Sequence, residues 1–169
     1  MIWLSYIIMY YNTQKHSLKL KPEISADYIF ENITISQIYN GELEFQVQAK
    51  KAVIYEDDNI VRLEESEGTL LESEESLLLF TSPKANYHLD DYQLNLDKAH
   101  VAYVVNEKAL WLYTDALQWL PLSLQATSSG NATIITDEIQ IESTLMAFDM
   151  KEKRITLKNN PQLRIAKHE

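Results

Sequence analysis

The sequence contains no cysteine, which excludes disulfides, thiolate nucleophiles and thiolate-ligated metals. Three glycines and four prolines punctuate 169 residues, a poor supply for the glycine-rich phosphate loops of nucleotide-binding folds. Positive charge is also scarce. Fifteen Lys and Arg against 25 Asp and Glu leave a net charge of -10. No basic cluster of the kind that neutralises a phosphate backbone is present, which argues against nucleic acid as a partner. What the chain does have is hydrophobic content, at 46%, too high for a disordered acidic polymer. Its length suits one domain with a core of its own.

The longest uncharged apolar stretch is MIWLSYIIMYY, residues 1–11. As a helix it spans roughly 16 Å, against about 30 Å of bilayer hydrocarbon, and by length alone does not cross. It lacks the basic start and small-residue cleavage site of a signal peptide. Three readings stay open: the end of a membrane anchor whose beginning lies outside this chain, an interfacial segment marked by Trp and Tyr, or an ordinary terminus. Lys15, His16, Lys19 and Lys21 follow, on the side where an anchor with an external body usually carries less positive charge. Residues 1–21 therefore form a short apolar segment with a basic linker, and residues 22–169 the folded domain.

From Ile33 onward the dominant period is two. Leu43, Phe45, Val47 and Ala49 alternate with polar residues in GELEFQVQA, the pattern of a half-buried strand. Gly41 marks a turn that makes residues 33–39 its hairpin partner. Ala52 and Ile54 lead into the polar EDDN, then Val61 and Leu63 resume the pattern. Ser82-Pro83 reads as an interruption. The layout then returns twice, each copy an alanine-led strand, a polar turn and an alternating strand, led by Ala85 and Ala132. Residues 127–131, TSSGN, read as a flexible loop, and residues 25–32 are the one candidate for a short helical turn. The chain is thus expected to be all-β, with about a dozen strands of four to eight residues, stacked in sequence order. The two end strands of such a roll stay unpaired and are open to strand addition.

Candidate chemistry is thin. His16, His88, His100 and His168 lack the spacing of a metal motif, and no catalytic serine, zinc, phosphate-loop or EF-hand signature is present. Asp57-Asp58 and Asp90-Asp91 fall in turns, where Asp accepts from local backbone donors. The glutamates between residues 64 and 75 suit a solvated strand face. Asn131-Ala-Thr133 matches a glycosylation sequon, a short pattern. The expectation is no enzyme, no cofactor and no metal.

Seven stretches in this order and spacing resemble the LptC family of lipopolysaccharide-export proteins, and more loosely the LptA and organic-solvent-tolerance families of the same fold. They are ADYIF (26–30), GELEFQVQA (41–49), SPKANY (82–87), YQLNLDKAHVAY (92–103), LYTDAL (112–117), GNATII (130–135) and IQIESTL (139–145). The resemblance implies an open, twisted β-jellyroll, a rolled two-layer sheet with an apolar interior groove. It also implies a single-pass anchor in the inner membrane with the folded domain in the periplasm. Lipopolysaccharide would pass from an inner-membrane ABC extractor complex, met at the N-terminal edge near residues 33–39, through the groove to an LptA-like bridge protein. The bridge would dock at the C-terminal edge, residues 155–165. Carried onto this chain, the groove is lined by Phe45, Val47, Tyr87, Leu94, Leu96, Val101, Tyr103, Trp111, Tyr113, Ile139 and Ile141. Two departures stand out: the short anchor and the acidity. Two alternatives follow, a soluble periplasmic bridge-like lipopolysaccharide-binding protein, and a β-sandwich that binds carbohydrate or protein through an exposed aromatic patch.

Overall fold

A computed structural model describes residues 28–165 apart from 40–41, 56–58, 74–75 and 106–107. The strands are β1 (Tyr28–Tyr39), β2 (Glu42–Tyr55), β3 (Ile60–Ser73), β4 (Ser76–His88), β5 (Leu94–Val105), β6 (Lys108–Leu120), β7 (Gln125–Ile135), β8 (Ile139–Asp149), β9 (Arg154–Lys158) and β10 (Gln162–Ile165). They form one antiparallel sheet in sequence order, with β9 and β10 both paired to β8. Among the described residues β1 pairs only with β2, and β9 and β10 only with β8, so the sheet is open rather than closed into a barrel. An all-β, open, twisted jellyroll is the fold.

The strands are fewer and longer than their pattern suggests, and the reason is a bend built into each one. Inward-facing residues step by two along a flat strand. Here they step by four in β7, Ser128 to Ala132, and by three once in each of six strands: Ala49 to Ala52, Leu63 to Ser66, Ser82 to Ala85, Leu96 to Ala99, Thr114 to Leu117 and Ser143 to Met146, all buried. The two residues between them both leave the interior, as in Glu64-Glu65, Pro83-Lys84 and Asp97-Lys98. Asn32, Glu65 and Lys98 take left-handed conformations there, with φ of 53°, 51° and 49°, which turns the chain sharply. Such steps mimic loops in a sequence. Ser82-Pro83 therefore bends β4 without ending it, and residues 127–131 lie within β7 at a bulge. Residues 28–32 of the expected helical turn belong to β1.

The bends line up across the sheet and fold it into two layers. One holds residues 52–55, 60–63, 85–88, 94–97, 116–120, 125–129, 145–149 and β9. The other holds residues 33–39, 42–49, 66–73, 76–82, 99–105, 108–114, 132–135, 139–143 and β10. β9 and β10 run in one direction beside β8 and act as a final bent strand, with Asn159 and Asn160 at positive φ in its corner. The inner corner admits only small side chains, and a row of them follows the register: Ala49, Ser66, Ser82, then Ala99, Thr114, Ala132, Ser143. Where the ladder skips a pair, these hydroxyls supply donors. Ser82 Oγ lies 2.6 Å from the carbonyls of both Lys84 and Asp97. Ser143 Oγ reaches the Lys158 carbonyl at 2.6 Å, and Thr114 Oγ1 the Ala116 carbonyl at 3.0 Å. Each hydroxyl has one proton and so serves one carbonyl at its bend at a time. Of the alanines that lead the sequence repeat, Ala132 sits in this row, while Ala52 and Ala85 are the first buried residues after the bend.

The expected inner-membrane placement through a single-pass anchor is corrected. Among the described residues no helix is long and apolar enough to cross a membrane, and their only helical element is the three-residue 3-10 turn Pro121–Ser123. Residues 1–21, to which the anchor is assigned, lie outside the described residues.

Candidate functional site

The space between the layers divides unequally. On the β2–β5 side it is filled by aromatic stacking. Phe45 lies against Phe80 with centroids 6.4 Å apart and against Tyr87 at 6.2 Å. Gly68 faces Phe80 across the β3–β4 ladder, and a Cβ there would collide with the Phe80 ring. Burial pushes the Tyr87 phenol up to about 12, with Tyr92 nearby adding to the rise. A residual void of about 10 Å³ remains between Phe45, Leu78, Phe80, Leu94, Leu96, Leu117 and Trp119, at the limit for a single water.

Toward the C-terminal end the interior opens into a cavity of about 290 Å³. Leu78, Val101, Tyr103, Leu110 and Leu112 line it from one layer. Leu117, Trp119, Ala126, Phe148, Met150 and Ile155 line it from the other layer and the adjoining turn. Its charged walls are Asp149, Lys153 and Arg154. The turn carrying them is fixed: Met150 N–H donates to the Leu124 carbonyl at 3.0 Å, Lys153 N–H to Met150 at 3.2 Å, and Glu152 N–H to Asp149 Oδ1 at 2.9 Å. An apolar cavity of about 150 Å³ is enough for a small hydrocarbon. At about 290 Å³ this one is larger. Tyr103 and Leu110 also border a second open space of about 600 Å³ with Lys108, Ala109, Thr136, Asp137 and Glu138.

The eleven residues expected at the groove are distributed over four environments. Phe45, Val47, Tyr87, Leu94 and Leu96 sit in the filled part of the interior and are buried. Val101 and Tyr103 line the cavity, while Ile139 and Ile141 are half-buried on β8. Trp111 and Tyr113 lie on the outer face, 47% and 41% exposed. Along β6 it is Leu112 and Thr114 that are buried, so the residues alternating with them point out. There Trp111 follows the row Thr69, Leu79, Ala102, Trp111, Ile135 across five strands. Tyr113 meets His100 edge-on at 5.0 Å. These rings border a shallow outer depression of about 440 Å³ with Gln46, Gln48, Glu67 and Thr81. Outside the expected set, the cavity is also lined by Leu110, Leu112, Leu117, Trp119, Ala126 and Phe148. The ALWLY run of β6 is apolar at every position, and so carries no signal for which side faces in.

The other polar candidates serve the fold. His88 Nε2 bonds to Asn95 at 3.1 Å. Asp91 Oδ1 accepts from the Gln93 N–H at 3.0 Å within its turn, and Asp90 Oδ2 from Asn59 Nδ2 at 3.3 Å. Asn131 is held by Asp115, whose Oδ2 accepts from its backbone N–H at 2.8 Å and its side-chain amide at 3.0 Å, pinning the Gly130 bulge.

Comparison with known proteins places this architecture. The chain matches the family model described as lipopolysaccharide-assembly, LptC-related, over residues 1–165. No curated protein sequence matches it. Among solved structures it is similar to LptH, the LptA-homologous periplasmic component of the conserved lipopolysaccharide transport device from Pseudomonas aeruginosa. The TM-score is 0.58 at 11% identity, covering 74% of this chain and 95% of that one. At that identity the likeness is one of fold.

Proposed function

The chain belongs to the LptC-related lipopolysaccharide-assembly family, and from that premise we propose that it acts as a bridge-type periplasmic module that holds lipopolysaccharide in its interior while passing it between neighbours. Membership itself carries a general role in lipopolysaccharide transport and binding, without catalysis, and interaction with lipopolysaccharide and the transport machinery. The reading rests chiefly on one observation: the apolar cavity lies between the layers of a sheet whose two edges, among the described residues, are open. Burial of each methylene stabilises the complex by about 0.8 kcal/mol, so a partly enclosed chain is held without being trapped. The β1 edge is assigned to the upstream partner, the extractor complex. The β9–β10 edge, with Ile155, Leu163 and Ile165 exposed, is assigned to the downstream, LptA-like bridge partner. Backbone pairing at either edge would continue the sheet and align interiors end to end.

Equilibrium binding of fluorescent lipopolysaccharide to the full chain tests this. Leu110→Trp, at the half-buried wall of the cavity, is expected to weaken binding at least tenfold with strand content by circular dichroism unchanged. Unchanged affinity in a folded variant would count against the interior as the binding site.

A further inference from the structure

Trp119 is the residue that a purely hydrocarbon interior leaves unexplained. Its side chain is 3% exposed, yet its indole Nε1 has no hydrogen-bond partner. Indole can only donate, and a buried donor without an acceptor weakens the fold relative to an apolar ring of similar size. The ring forms a wall of both the 290 Å³ cavity and the small void beside it. The cavity lining is mostly apolar, and neither of its oxygen-bearing side chains, Tyr103 and Asp149, is bonded to the indole. A second observation comes from the mouth. Lys153 and Arg154 border the same cavity, are exposed, and make no ion pair among the described residues. What sets these two apart is their place, since both border the mouth of the apolar cavity on a hydrogen-bonded turn.

We propose that this cavity selects acyl chains carrying an oxygen, with Trp119 Nε1 donating to that oxygen inside and Lys153 with Arg154 facing an anionic head group outside. The inference rests on the interior being the lipid site and adds a chemical preference to it. A plain hydrocarbon chain fills the cavity but leaves the indole unpaired. A hydroxyl or ester carbonyl at the right depth satisfies it, and a hydrogen bond formed in an apolar site discriminates strongly against the analogue that lacks it. Trp119 is a specificity-determining residue in this account. The two cations contribute through charge and stay in water.

Calorimetric titration of the full chain with tetradecanoate, 3-hydroxytetradecanoate and 3-acetoxytetradecanoate tests the preference, with lipopolysaccharide as a fourth ligand. At least one oxygenated probe is expected to bind about tenfold more tightly than tetradecanoate. Trp119→Phe is expected to remove that difference while leaving tetradecanoate affinity within about twofold. In proton–nitrogen spectra the indole signal that Trp119→Phe deletes should move downfield with the preferred probe and not with tetradecanoate, a readout that a packing role would not move. Equal affinity for all three probes in the native chain, or a preference that survives in Trp119→Phe, overturns the inference. So does binding of lipopolysaccharide with none of the three probes. Failure to bind any probe and lipopolysaccharide as well overturns the lipid-site reading, and the inference with it. If Trp119→Phe does not fold, Trp111→Phe together with Trp3→Phe leaves one indole signal, and its shift with the native chain's probe ranking decides.

Discussion

Phe45 and Tyr87 stack across the two layers, their ring centroids 6.2 Å apart and their planes 24° from parallel. Phe45 belongs to the half of β2 before its bend, Tyr87 to the half of β4 after its own. Their contact therefore ties one layer to the other and closes the N-terminal part of the interior. The cavity is left to the β5–β8 side, where Ala126 and Val101 are too small to bridge the layers in the same way. Phe45→Ala is expected to cost about 3–5 kcal/mol in urea unfolding, in the range of large-to-small core changes. A cost under about 1 kcal/mol would mean that the two layers do not depend on this contact.

Alkaline pH should reveal the same contact from the other side. The Tyr87 phenol is pushed from 10.0 up to about 12 by burial and by Tyr92. The folded state thus keeps a proton that the unfolded chain releases. Stability is full below about pH 10 and falls as pH rises through 12, by a few kcal/mol at most. Urea midpoints measured from pH 9 to 12 should show that fall in the native chain and much less of it in Tyr87→Phe. An equal fall in both would assign it to other groups.

Gly68 is fixed by its neighbour, since the Phe80 ring occupies the space a Cβ would need. Gly68→Ala is expected to destabilise by about 1–3 kcal/mol, the usual cost of overpacking. Combining it with Phe80→Leu should recover part of the loss, so that the two changes are not additive in unfolding measurements. Simple additivity would contradict the contact.

Much of this was readable beforehand, and the limits are physical. Phe45, Val47, Leu94 and Leu96 alternate with polar residues, so their inward facing follows from period two. Two consecutive outward residues, as at Pro83-Lys84, look the same as a chain reversal in sequence, which is why Ser82-Pro83 reads as an interruption. An all-apolar run such as ALWLY has no preferred phase, so the outward facing of Trp111 and Tyr113 is not legible in it. The cavity itself is absent from any residue pattern: it is the volume left when Leu112, Ala126 and Phe148 fail to meet, and only packing defines it.

The outer edge of the roll offers a separate test of partner assignment. Leu163 and Ile165 on β10 are 60% and 72% exposed, and carry little of the fold. Leu163→Asp with Ile165→Asp is expected to change stability by no more than about 0.5 kcal/mol per site and to abolish capture of a purified LptA-like bridge protein. Retained capture would move the downstream contact to another surface.

The claim that lipid occupies the interior is tested most directly by two neighbouring residues that point to opposite sides of β6. A photo-crosslinking amino acid placed at Leu112, buried beside the cavity, or at Tyr113, exposed on the outer face, samples the two environments one residue apart. The account predicts lipopolysaccharide adducts at position 112 and none above background at position 113. Adducts at 113 with none at 112 would contradict it, and would place the ligand on the outer aromatic face instead.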